Sequence, residues 1–293
     1  MGDVWIYLAA AITGAGLSLS GATLQSVLRN PLAEPYLLGT VGGAALFAAL
    51  ATVLGWTALG GWVLPLSSFL GSCCSLALVL TVAAFAVRAR NRDGADPFQR
   101  SSGGAIVLAG FVAGGFFGSL DMLVMSYATP EDFTALSRWL YGSLAAASPG
   151  ATALGGCVLA TVFTVLMLFS RRLNVLELGR DEAETLGVNT RATIAAVLLA
   201  VSLLTAVSVA LAGAVGFVGL VVPHFARRLT GPRMERVLPA AAAAGGGFLT
   251  LAQYCASRLP GEVPVGVVAA IIGAPFFFWL LMRRRNGEGR DVV

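Results

Sequence analysis

The sequence has no lysine: every one of its 19 Lys/Arg positions is arginine. A chain without lysine has no P-loop lysine for ATP phosphates and no side-chain amine for a Schiff base. Any ATP used alongside it must be bound by another chain. There is one histidine, His224. It follows Pro223 and precedes arginines, so a histidine metal centre or a catalytic triad has no material, and a structural hydrogen-bonding residue is expected. Charge is scarce too: Asp, Glu and Arg make up 12% of the residues, about half the ~25% of soluble chains. The four cysteines, Cys73, Cys74, Cys157 and Cys255, form no C-x-x-C pair and sit in apolar runs. With no histidine nearby, that argues against a metal site or a disulfide framework and points to small residues packed between helices. The start, Met1-Gly2-Asp3, lacks a positive n-region, so the apolar run from Val4 reads as a retained span.

What is present is apolar side chain, 57% of 293 residues, with a mean hydropathy of +0.83. A helix crossing a bilayer needs about 20 such residues. The expectation is an all-α polytopic membrane protein, a single transmembrane domain over 1–293 with about nine spans. They fall near 4–27, 36–56, 62–87, 104–128, 149–169, 192–211, 213–225 (short), 237–257 and 264–282. The charge-free stretch from Pro35 to Val87 divides into two helices at Gly55 to Gly61. Alternating the sides of the spans places every arginine except Arg138 and Arg258 on one face. The positive-inside rule makes that face cytoplasmic, with the N-terminus outside and the C-terminus inside. The net charge of +4 is thus a matter of membrane orientation, not of nucleic acid. Gly39 with Gly43, and Gly110, Gly114 and Gly118, give the G-x-x-x-G spacing of close helix packing.

Five stretches are more than membrane filler. Gly21 to Gly39 reads GATLQSVLRNPLAEPYLLG: two prolines end one helix and start the next, and Gln25 is polar at a span's end. Leu173 to Arg191 reads LNVLELGRDEAETLGVNTR, with capping-box spacing at Asn174/Glu177 and Asp181/Glu184 and stops at Gly179 and Gly187. It predicts two short helices within a cytoplasmic segment, 170–191. Their apolar residues (Leu176, Leu178, Ala183, Leu186) beside acids (Glu177, Glu182) make a surface for another protein. Gly213 to Arg228 reads GAVGFVGLVVPHFARR. Pro130 to Ala147 lies on the outer side and starts a helix at Pro130, with Phe133, Leu136, Leu140 and Leu144 on one face. Asp121 is the one acid inside an apolar run, functional by default if it lies within the membrane.

Together these stretches resemble the permease subunits of ABC importers for vitamin B12, ferric siderophores and haem, from about Ala10 to Met282. The residues that carry the resemblance are G-x-x-x-Q with R-N-P-L-A-E-P (Gly21, Gln25, Arg29–Pro35) and L-N-x-L-x-L-G-x-x-x-A-x-x-L-G (Leu173–Gly187). G-x-V-G-F-V-G-L-V-V-P-H-x-x-R (Gly213–Arg227) and P-V-G-V-V…G-A-P-F-F (Pro264–Phe277) complete it. The resemblance implies a homodimer with the second copy of itself, two ATP-binding subunits below and a substrate-binding protein above. Leu173–Gly187 would form the coupling helices, through Asn174, Leu176, Glu177, Gly179, Glu182, Ala183, Leu186 and Gly187. Arg138 and Arg258 would meet the binding protein, and Gln25, Asn30, Pro31, Pro223 and His224 are candidates for the path or gate. No cofactor belongs to this chain; ATP and Mg²⁺ would lie on the partner ATPase, with alternating access as the mechanism and no covalent chemistry on the cargo.

The family has ten spans, and the sequence shows nine. What is missing is the first, with an R-x-P-R loop before the helix beginning here at Val4, so the expectation is a chain that starts late. Gln253 also stands where the family commonly has an acid. The cargo stays open among ferric siderophore (the first expectation), haem and cobalamin. Two other classes compete. An ATP-independent secondary transporter or channel would need buried ionisable pairs or inverted broken repeats, against which there is only Asp121. An intramembrane enzyme using Ser18 or Ser20 has its only histidine at the end of another span.

Overall fold

A computed structural model describes residues 2–90, 102–145, 147–261 and 263–287. Arg92, Arg100 and Arg290, part of the arginine count above, lie outside them. The described residues form eleven α-helices: α1 (Gly2–Leu28), α2 (Thr40–Val53), α3 (Val63–Arg90), α4 (Ser102–Met125), α5 (Pro130–Leu140), α6 (Pro149–Leu178), α7 (Arg180–Thr185), α8 (Thr190–Ala212), α9 (Val218–Thr230), α10 (Met234–Arg258) and α11 (Val265–Gly287). Short 3-10 turns at Pro35–Leu38 and Trp56–Leu59 precede and follow α2.

Among the described residues, five stretches are long and apolar enough to cross a membrane: Val4–Leu28, Val63–Val82, Leu108–Met125, Pro149–Leu178 and Thr190–Ala212. Thr40–Val53 and Val265–Phe278 are shorter apolar helices. Because lipid offers the backbone no hydrogen-bond partners, such runs must be helical. α1 packs against α6, α8, α9 and α10, while α2, α3 and α4 form a second group joined to the first through α8.

Glycine sets the closest approaches. A Cβ on Gly14 would strike the backbone of Gly245 and one on Gly245 that of Gly14; Gly43 and Gly71 make the same reciprocal contact. These pairs let backbones touch where lipid supplies no hydrophobic drive between helices. Gly110 and Gly114 lie against the 37–42 segment, as their spacing predicts, but Gly118 faces open space.

Three expectations change. The span placed at 213–225 is a break at 213–217 followed by α9. Gly213 (φ 68°) and Phe217 (φ 69°) take left-handed conformations there and stop the helix. The 13 residues of α9 measure about 20 Å, short of the ~30 Å hydrocarbon core. Second, the first of the two short helices does not exist as a separate element: α6 runs unbroken for 30 residues to Leu178. Third, Cys74, Cys157 and Cys255 are exposed on the outside of the bundle and only Cys73 is half-buried.

α5 does begin at Pro130, with the Thr129 hydroxyl accepting from the Asp132 N–H at 3.2 Å. Its buried face is Leu136 and Trp139; Phe133 points out. Asp121 is turned into the protein, 8% exposed.

Candidate functional site

Two of the sequence stretches, at Gly21 and at Gly213, meet as one structure at the arginine-rich end of α1. The reason is a missing hydrogen bond. Pro223 sits inside α9 and has no N–H for the carbonyl four residues back, that of Gly219. The Gln25 amide approaches that gap: Nε2 donates to Gly219 O at 3.3 Å, Leu220 O at 3.2 Å and Ala33 O at 3.4 Å. It reaches because Gly21 has no side chain; a Cβ there would overlap the Gly219 carbonyl. Gln25 itself is 4% exposed, so it is a buried bridge and not a polar residue merely tolerated at a span's end.

The other end of the amide is also occupied. Arg227 Nη1 donates to Gln25 Oε1 at 2.7 Å and Nη2 to Ala22 O at 2.8 Å. Arg227 Nη2 also lies 3.9 Å from Glu177 Oε1 near the end of α6. Burial pulls the Arg227 guanidinium below its ordinary pKa, and Glu177 opposes that shift. Gln25, Arg29, Pro31, Glu177, His224, Arg227 and Arg228 line one pocket of about 460 Å³.

Below Gln25 the chain turns on Asn30, whose Oδ1 accepts from the Leu32 N–H at 3.0 Å. It then meets the break before α9. The Phe217 N–H donates to Glu34 Oε1 at 2.9 Å and the Val215 N–H to the Tyr36 hydroxyl at 2.8 Å. Two backbone donors that no helix satisfies are therefore held by side chains from the 34–36 turn. Of the expected path or gate residues, Gln25, Pro31 and His224 share the pocket wall, Pro223 creates the carbonyl that Gln25 serves, and Asn30 shapes the turn between them.

The 170–191 segment is rooted in the bundle by residues expected to face a partner. Asn174 caps no helix: it lies within α6, its Nδ2 donating to Glu235 Oε2 and its Oδ1 accepting from the Met234 N–H, both at 2.8 Å. That hydrogen bond, with Arg171 and Arg233 nearby, holds the Glu235 carboxyl below the usual carboxylate range. The Glu184 carboxylate accepts from Thr190 Oγ1 at 2.6 Å instead of closing a capping box with Asp181. Leu176 and Ala183 are buried. Gly179 (φ 144°) separates α6 from α7, with the Glu182 carboxylate folded over it, and Gly187 (φ 79°) follows α7. Leu178 and Leu186, each more than 60% exposed, face outward, and Asp181, Glu182 and Glu184 between them are exposed as well.

At the opposite end Arg138 and Gln253 line a crevice of about 560 Å³ with Ser143 and Ser257. Arg258 stacks on the Tyr254 ring at 4.9 Å instead of entering it. Sequence reasoning missed Glu34, Tyr36 and Arg227; Pro223 was the available signal, since a proline in a helix leaves a carbonyl that something must satisfy. Among the described residues no group of three or more His, Cys, Asp or Glu is placed to hold a metal ion.

Residues 4–283 match the FecCD transport family. The cobalamin import system permease protein BtuC of Halobacterium salinarum is 35% identical over 94% of this chain and 70% of its own length. The hemin transport system permease protein HmuU of Yersinia pestis is 32% identical over 95% and 81%. A solved inward-facing structure of a metal-chelate type ABC transporter superposes with a TM-score of 0.83 at 30% identity, over 95% of this chain and 86% of that one.

Proposed function

Because the chain belongs to the FecCD transport family and is a multi-pass membrane permease of the ABC importer class, we propose that it moves an iron chelate, haem or cobalamin inward. It works as half of a homodimer, with cargo delivered by a substrate-binding protein at the end bearing Arg138 and Arg258. ATP and Mg²⁺ sit on two separate ATP-binding subunits at the arginine-rich, cytoplasmic end. The membrane is crossed by α1, α2, α3, α4, α6, α8, α10 and α11, and by α9 together with the 213–217 break. The N-terminus is outside and the C-terminus inside.

The observation that carries this reading is the division of labour within 170–191. Asn174, Glu177 and Glu184 tie the segment to α10, α9 and α8, while Leu178, Glu182 and Leu186 face outward. A surface that is apolar, exposed and firmly rooted is suited to passing a push from the ATPase into the helices. Gln25, Asn30, Pro31, Pro223 and His224 then lie where that push arrives, beside the inner gate.

The test is copurification of the permease with an ATP-binding subunit whose ATP hydrolysis rises when loaded binding protein is added. Glu182→Arg with Leu186→Arg should uncouple the two. If stimulation survives that double change intact, the docking assignment is wrong.

A further inference from the structure

α1 ends in a paired hydrogen-bond cap: the Asn30 N–H donates to Gln25 O at 3.1 Å and the Arg29 N–H to Ser26 O at 3.2 Å. In such a cap the residue past the helix end is left-handed, and glycine or asparagine is usual there. Here it is Arg29, at φ 48°, although an asparagine stands next in the chain. An L side chain bears a steric penalty in that conformation. In that conformation Arg29 lines the 460 Å³ pocket.

The pocket wall is unbalanced in charge. It carries Arg29, Arg227 and Arg228 against a single acid, Glu177, which already faces Arg227. Arg29 and Arg228 are exposed, and neither side chain has a hydrogen-bond, ion-pair or ring partner among the described residues. α1 is flanked by α6, α8, α9 and α10, so its end is surrounded by other helices of the bundle. Glu177 places the pocket directly beside the 170–191 segment. On α7 the sign reverses: Asp181, Glu182 and Glu184 are exposed there against the single, half-buried Arg180.

We propose that this pocket is a second seat for the ATP-binding subunit, taking an acidic side chain of that partner between Arg29 and Arg228. The inference rests on the permease reading above. It adds a charge requirement: the partner presents basic groups to α7 and a carboxylate to the pocket. Two seats of opposite sign fix the rotation of the partner as well as its contact, which an apolar ridge alone does not.

The experiment uses the full-length permease in nanodiscs and the ATP-binding subunit that copurifies with it, with association rates and Kd measured from low to high salt. Arg29→Glu with Arg228→Glu should slow association about tenfold at low salt and flatten the salt dependence. Arg29→Lys with Arg228→Lys should stay within about threefold of wild type, since the charge is kept. Arg228→Glu alone, at an exposed helix position, guards against loss of fold and should give an intermediate loss. Unchanged association with the double Glu variant overturns the inference, whether or not retention of anionic lipid falls. Were wild type itself to bind no ATP-binding subunit, the permease reading would fail first, independently of any variant.

Discussion

Replacing Gln25 with leucine tests whether one amide holds three elements together. The change removes a charge-assisted bond from Arg227, about 1.5–3 kcal/mol, and long contacts to carbonyls at roughly 0.5 kcal/mol each. The Gly219 carbonyl is then left without a donor because Pro223 cannot supply one, adding about 1 kcal/mol. Leucine recovers part of this as buried apolar surface. The expected net loss is about 3 kcal/mol, roughly 6–12 °C in Tm, read by thermal unfolding of the purified permease. Gln253→Leu is the control: the Gln253 side chain has no hydrogen bond among the described residues and its loss should shift Tm by no more than about 1–2 °C. The sharper check is a cycle with Pro223→Ala. Alanine restores an N–H aimed at Gly219 O, so Gln25→Leu should cost about 1 kcal/mol less in that background. Equal costs in both backgrounds, or a Gln25→Leu shift no larger than that of Gln253→Leu, would refute the reasoning.

Other consequences follow from the same geometry. Gly21→Ala puts a methyl group into the Gly219 carbonyl and should destabilise by 1–3 kcal/mol or prevent folding, whereas Gly247→Ala, which meets open space, should be neutral within about 0.5 kcal/mol. Asn174→Ala should lower Tm at pH 7. Glu235 is held below its ordinary value, so its contribution is fully present above about pH 4.3 and is lost as pH falls through the depressed value. The gap between Asn174→Ala and wild type should therefore narrow in unfolding scans taken from pH 5 to pH 3, leaving the part due to the Met234 N–H. Arg29→Gly removes left-handed strain and should keep or raise stability by about 0.5 kcal/mol, while slowing association with the ATP-binding subunit.

The long helices were legible because lipid permits little else: an uncharged run such as 192–212 has only one way to satisfy its backbone. Side-chain work across the bundle was not. Asn174 carries the spacing of a helix cap, but its partners, Met234 and Glu235, lie 60 and 61 residues away, and they win over the local signal. Gln25 looked like a polar residue at a span's end since its acceptors near 219 and its donor Arg227 are about two hundred residues distant. The break at 213–217 hid inside an apolar run, where hydropathy cannot tell a helix from an irregular turn; its mark was the pair Gly213 and Gly216 ahead of Pro223.

The 213–217 turn also sets an order of events in synthesis. Its amide donors at Val215 and Phe217 are received by Tyr36 and Glu34, made 179 and 183 residues earlier. At 5–20 residues per second the Glu34 carboxylate waits roughly 10–40 seconds for its amide partner to leave the ribosome. During that interval the mould exists before the part it shapes. The nascent 29–39 turn must meanwhile stay wet or be sheltered by the insertion machinery. A chain halted before residue 217 would carry an acid with no amide donor from the break, a ready mark for membrane quality control.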